Sequence, residues 1–239
     1  MKKFFSGLLA IALTSLVQAA SAASLAAGDT IKLTDSYGST GGGEFIGTIL
    51  SGAAAPGSFI TFCVEKNEFF TPGQTLQVQA VSTAAVNGGA GGGNPDPLDA
   101  RTAYLFTQFS LGTLSNYSYD NATARVSSAN SLQKAIWYLE QEISLPSSDT
   151  QAQSWINEAT NKVSSGEWSG IGDVRVLNLY RWDSATHSYS LPAQDQLYVI
   201  PIPEPETYAM LLAGLGLLGF AMRRRFLRGT PSSTGLTAA

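Results

Sequence analysis

The chain has 239 residues, of which only 13% are charged, and its 14 Lys+Arg against 18 Asp+Glu give a formal net charge of −4. Between its two apolar ends, residues 24–202 keep eight basic and sixteen acidic side chains, a net charge of about −8 that argues against nucleic acid or anionic lipid as a partner. One cysteine and one histidine exclude a His/Cys metal cluster, and neither metal nor other cofactor is expected.

The N-terminus reads as a signal peptide over residues 1–23. Lys2 and Lys3 precede the apolar run FFSGLLAIALTSLV, and QAASAAS supplies small residues for cleavage after Ala22 or Ala23, with Ala19 as the other choice. An N-terminal membrane anchor is the competing reading, disfavoured because the run is short for a span.

Strands follow. TIKLTDS, GEFIGTIL, SFITFCVEKNEF and TLQVQAV are β-prone and are separated by GSTGGG, GAAAPG and TPGQ. The run NGGAGGGNPDP then reads as a flexible connector. It is no phosphate loop, because no Lys-Ser/Thr pair follows its glycines.

The middle of the chain is helical. Asp99 caps ARTAYLFTQFSL, with Ala103, Phe106 and Phe109 at helical spacing. Ser127 or Ser128 opens ANSLQKAIWYLEQEI, whose apolar face carries Leu132, Ile136, Leu139 and Ile143, and Asp149 caps TQAQSWINEATNKV. Strand character returns in VRVLNLYRW and QLYVIPI. The order strands, helices, strands predicts an α+β fold over 24–202, a β-sandwich or barrel-like core carrying a helical insertion.

The far end is a second apolar segment, a single apolar helix over 207–222 read as a transmembrane helix. Arg223, Arg224 and Arg225 follow it as a membrane stop that marks the cytoplasmic side, with Arg228 close behind. Pro203, Glu204 and Pro205 stand before it, and their prolines hold the backbone extended and open to another protein. A permanent single-span anchor is the simpler reading of the helix. In this order, however, the Pro-Glu-Pro tripeptide, apolar helix and arginine cluster over 203–228 resemble the PEP-CTERM sorting signal. The resemblance implies an exported protein of a Gram-negative-type, exopolysaccharide-making bacterium. It would be held in the inner membrane until an exosortase removes the tail, and then released to the cell surface or extracellular matrix. GTPSSTGLTAA, residues 229–239, extends beyond the arginines and reads as a disordered tail.

Enzyme chemistry finds little support. His187 lies in the polar stretch DSATHSYS, read as a loop, and would have to serve any Cys-His or Ser-His pair. Glu65, Glu68, Glu140 and Glu142 show no spacing that singles out a glycosidase pair. No catalytic residue is assigned, and the protein is expected not to be an enzyme.

Cys63 is the one chemical feature left. Alternation puts Phe59, Thr61, Cys63 and Glu65 on one side of their strand. A half-buried cysteine acting as a small hydrophobe is one reading, and an intermolecular disulfide in an oxidising compartment is another. A third comes from SFITFCVE taken with LQKAIWYLE. An aromatic-Cys-aliphatic-acid stretch on an early strand, then Gln-x-Ala-Ile-Trp on a helix, resembles the bacterial surface thioester domain. The resemblance implies an internal thioester between Cys63 and Gln133, and we assign Trp137 and Phe62 or Phe59 the role of shielding the bond from water. It also implies a partner, a surface or matrix protein whose lysine amine or hydroxyl captures the acyl group. Non-covalent binding of exopolysaccharide or matrix, with Cys63 inert, is the alternative.

Overall fold

In β1 (Thr30–Ser39), residues Ile31 and Leu33 lie two apart and are fully buried, as a strand with one face on a core requires. The computed structural model describes residues 24–39, 42–54, 56–86, 89–201 and 212–220. β1 pairs antiparallel with β2 (Gly42–Ser51), and β2 with the short β3 (Ser58–Thr61). On its other side β1 meets β4 (Thr75–Ser82). A small ladder joins β5 (Ala84–Ala85) to β6 (Asp96–Pro97). Beyond the helices, β7 (Val174–Asp183) and β8 (Ser188–Val199) form a hairpin, and β7 pairs with β4.

The resulting six-stranded sheet runs β3-β2-β1-β4-β7-β8, antiparallel throughout. Its two edges meet. Past β3, the Val64 N–H donates to the Asp195 carbonyl and the Leu197 N–H to the Phe62 carbonyl, each at 3.0 Å, with Cys63 and Gln196 bridged between them. The fold is therefore α+β, with a sheet curled until β3 and β8 touch. Ile31, Leu33, Leu76, Val78, Leu177 and Leu179 share one core with Phe59 and Tyr198.

Three helices lie between β6 and β7 in sequence: α1 (Ala100–Ser110), α2 (Ala122–Leu139) and α3 (Thr150–Ser164). Asp99 and Asp149 are the N-caps of α1 and α3, accepting from the N–H groups of Arg101 and Ala152. α2 begins earlier than the serines suggested, because Asn121 accepts from the Ala124 N–H and caps it there. Ser128 lies inside the helix, buried, and accepts from the Ser118 N–H. The same helix stops at Leu139 rather than continuing through Ile143. Gln141 turns left-handed at φ 65°, its N–H donating to the Tyr138 carbonyl while that of Glu142 reaches back to Trp137. That pair of bonds is a Schellman stop. α2 packs across β1 and β2, and a second core gathers Phe62, Val64, Phe106, Phe109, Leu132, Ile136 and Trp155 between helices and sheet.

Two further expectations change. SFITFCVEKNEF is not one long strand: β3 ends at Thr61, and residues 61–65 are all buried because Phe62 and Val64 enter the helical core while the chain leaves β2 for β8. The described part of the glycine run is pinned rather than a free connector. Glu142 accepts from the N–H groups of Ala90 and Gly91, at 2.9 and 3.3 Å.

Residues 24–201 belong to one compact unit. Outside it, 212–220 is helical and exposed. Among the described residues no helix is long and apolar enough to cross a membrane. The span expected over 207–222 is thus described only for 212–220. The signal peptide, Pro203–Glu204–Pro205, Arg223–Arg225 and the tail 229–239 lie outside the described residues.

Candidate functional site

The site starts from a gap in a ladder. β2 and β3 stay in register as far as Phe45 opposite Thr61, and two residues further on that register would set Gly43 opposite Cys63, where the pairing has ended. There the Gln133 side chain, from the middle of α2, enters the ladder in place of direct backbone pairing. Its Oε1 accepts from the Cys63 N–H at 3.1 Å and the Gly43 N–H at 3.4 Å, and its Nε2 donates to the Cys63 carbonyl at 2.8 Å. Gln133 and Cys63 are each 1% exposed, so these bonds satisfy groups that water does not reach.

The hairpin that presents Gly43 is fixed from both sides. A Cβ on Gly42 would stand 2.7 Å from Gln133 Cγ and from Trp137 Cη2, so only glycine lets β2 lie this close to α2. Next along, the side chain of Glu44 is wholly buried and takes a forked pair of bonds from Arg125 at 2.7 and 2.9 Å, with Tyr117 also donating to it. Arg125 lies 4.7 Å from the centre of the Tyr37 ring, so β1, β2 and α2 are tied together around the hairpin.

The sulfur faces the opposite edge of the sheet. Sγ donates to Gln194 Oε1 at 2.9 Å, and Gln196 Nε2 approaches it at 3.5 Å. Gln194 lies in a β-bulge of β8 and Gln196 directly follows it. Leu177 pairs with Gln196 but Leu179 with Ala193, so Gln194 and Asp195 together oppose Asn178. Asp195 repairs the broken ladder with its side chain, accepting from the Leu179 N–H at 3.0 Å and from Asn178 Nδ2 at 2.7 Å.

Burial dominates the electrostatics. It pushes the Cys63 thiol up to about 12, with the neighbouring Glu65 adding to the rise and a hydrogen bond from Gln196 opposing it. Glu65 is itself held well above the carboxylate range, by burial first and by Asp195 next. Its Oε2 accepts from the Asp195 N–H at 3.0 Å, and its Oε1 has no hydrogen-bond partner among the described residues. Burial thus favours the uncharged thiol at Cys63 and disfavours the charged form of Glu65.

A cleft of about 390 Å³ opens onto this point, and Cys63, Gln194, Gly42 and Glu44 are among its walls. Phe45 and Phe70, in edge contact at 5.0 Å, and the 69% exposed Phe69 line it too. The structure therefore brings Gln133 onto the Cys63 backbone, with Trp137 beside Gln133 where both approach Gly42. Phe62 lies behind, edge-on to Phe109 at 5.1 Å in the helical core, and Phe59 packs on Tyr198. His187 is exposed in the β7–β8 turn. Among the described residues no cluster of three or more His, Cys, Asp or Glu could hold a metal ion. Sequence reasoning missed Gly43, Gln194, Gln196 and the Glu44–Arg125 pair. Polar residues interrupting the apolar strand at AQDQL were the one signal available for the bulge.

By structure this is an α+β domain with a buried Cys63–Gln133 contact next to a cleft that Cys63 lines. The tail adds the other part: residues 201–225 match the family model of the PEP-CTERM protein-sorting motif. That match supports an exported protein sorted by an exosortase. No curated protein and no solved structure matches the chain.

Proposed function

We propose that this is a non-enzymatic surface or extracellular-matrix protein whose Cys63 and Gln133 form an internal thioester for covalent adhesion. The observation that carries the reading is the clasp of the Gln133 amide on Cys63, made in a dry site across 70 positions of sequence. Formation balances without an added reagent. The Cys63 thiol adds to the Gln133 carboxamide carbon, a C–S bond forms, the C–N bond breaks, and the thiol proton leaves with nitrogen as ammonia. An amine or hydroxyl on a partner, entering by the cleft, then takes the acyl group and returns a proton to sulfur. The event is used once, without turnover. Exosortase processing at Pro203–Glu204–Pro205 would first release the domain from the inner membrane.

Intact mass tests this. Purified protein should be lighter by one ammonia, and Cys63→Ala or Gln133→Ala should abolish the deficit after allowance for the substitution. Full mass together with one titratable thiol per chain in denaturant would overturn it. One observation favours non-covalent matrix or exopolysaccharide binding instead: the thiol is held neutral and its own hydrogen bonds go to Gln194 and Gln196. That reading predicts the full mass.

A further inference from the structure

We infer that the backbone N–H groups of Gly43 and Cys63 form an oxyanion hole for the Gln133 carbonyl, serving both the making and the breaking of the acyl bond. This rests on the thioester reading above and adds the groups that would stabilise its transition states.

The two donors converge on one atom, Oε1, one from β2 and one from the segment past β3, at 3.4 and 3.1 Å. They can do so because the β2–β3 ladder opens at this step. On its β8 side, Cys63 sits between the Val64-to-Asp195 and Phe62-to-Leu197 bonds, so its own N–H and carbonyl are directed elsewhere, and Gln133 takes both. The attacking atom and one donor thus belong to the same residue, and Sγ must turn from Gln194 and Gln196, which it faces here, to reach the amide carbon. When sulfur adds to the amide carbon, the carbonyl electron pair moves onto Oε1, between two N–H dipoles already in place. When an amine later attacks the thioester, charge develops on the same oxygen. The C–N bond then forms, the C–S bond breaks, and a proton from the amine goes to sulfur. Preorganised donors in a water-free site are worth more than in water, because they need no reorientation as charge appears. The longer Gly43 contact is the one to shorten as that charge grows.

Gly43 is suited to the task by its backbone. Its φ of 125° is one few side chains accept, and a Cβ there would meet Gly38 Cα and the Tyr37 carbonyl oxygen at 2.7 Å. The N–H faces Oε1 from the start of β2, next to Glu44, whose buried pair with Arg125 ties β2 to α2. A clasp that merely satisfied a buried glutamine would need the same bonds at rest, so the discriminating quantity is the rate of acyl transfer.

The test uses the purified, exported protein with methylamine as the probe. Wild-type protein is first weighed. If it shows the full mass, the thioester reading fails and this inference falls with it. If the ammonia deficit is present, the amide-to-ester exchange at Gly43, with glycolic acid in place of glycine, removes only the N–H. Methylamine should then open the thioester about 100-fold more slowly. An opening rate within about threefold of wild type would overturn the oxyanion hole and leave the thioester standing. The infrared carbonyl stretch of unsubstituted protein decides the case if the ester variant does not fold. The band lost on methylamine treatment should lie below that of a simple alkyl thioester in dry hydrocarbon, and an unshifted band rejects the proposal.

Discussion

Gln133 stands in the sheet as a surrogate peptide for Cys63, accepting from its N–H at 3.1 Å and donating to its carbonyl at 2.8 Å. Both bonds go to backbone, so the clasp does not depend on the sulfur. Gln133→Ala strips two buried backbone groups of their partner and leaves a cavity, and should cost about 2–4 kcal/mol in urea unfolding. Gln133→Glu should cost more at neutral pH, because a carboxylate would face the Cys63 carbonyl. Part of that loss should return on acidification.

Cys63→Ala measures something else. It keeps the clasp and removes a small buried side chain, a change of about 1 kcal/mol where no cross-link exists. A thioester would close a loop of 70 positions, and its loss would remove a further ~4 kcal/mol of unfolded-state constraint on the chain-entropy account. The size of the drop in unfolding midpoint therefore reports the bond independently of mass.

Arg125 should matter to the hairpin more than its place on α2 suggests. Its fork to Glu44 is the charge balance for a carboxylate whose side chain is wholly buried. Arg125→Ala leaves that charge unpaired and should destabilise by about 3 kcal/mol. Arg125→Lys keeps the charge but loses the fork, and should recover only part of it. Displacement of the hairpin carries Gly43 away from Gln133. The Arg125→Ala protein should thus show less of the ammonia deficit, whereas a surface change such as Lys162→Ala should leave it intact.

Much of the scaffold was legible because its signals are local. Alternating apolar residues mark β1 and β4, and Asp99 and Asp149 cap α1 and α3 as their side chains suggest. The resemblance singled out Cys63 and Gln133, and in the fold the Gln133 side chain bonds the Cys63 backbone. What escaped depends on register between distant strands. Nothing near Gly43 announces that it will face Cys63, and the bulge at Gln194–Asp195 exists only relative to Asn178. The start of α2 was missed for a different reason: Ser127 and Ser128 have the chemistry of caps, but Asn121 upstream took the role.

Stability should be greatest in mild acid. Glu140, at the C-cap of α2, is raised to about 8, by burial first and then by the Asp99 and Asp96 carboxylates, against an ordinary value of 4.5. Below 4.5 it is protonated in folded and unfolded chains alike, at no cost. Between 4.5 and about 8 the unfolded chain ionises and the folded one does not, so stability falls as pH rises and levels off above 8. Glu65 acts in the same sense. Asp149 acts oppositely. Bonds from Lys134, Ala152 and Ser131 hold it below 3.8, so its contribution is full above that value and is lost as pH falls through its lower folded value. Melting temperature should therefore peak near pH 4–5 and decline toward pH 8, and Glu140→Gln should flatten the decline. A melting temperature that rises steadily to pH 8 would contradict this assignment.

The tail makes the last prediction. The matched motif spans 201–225, taking in Pro203, Glu204, Pro205 and the three arginines. Two prolines disfavour helix and central-strand pairing for such a tripeptide, which is the sequence-based ground for expecting Glu204 to be open to another protein. Its carboxylate is the one charge that a processing enzyme could read between them. Glu204→Gln keeps the shape and removes the charge, so it should leave the tail attached and the protein in the membrane fraction. If Arg223, Arg224 and Arg225 act as the proposed cytoplasmic stop, replacing them with alanine should let unprocessed protein slip past the membrane. Mass at the C-terminus and membrane fractionation read the two outcomes separately. Tail removal from Glu204→Gln at the unsubstituted rate would show that the enzyme reads the chain elsewhere.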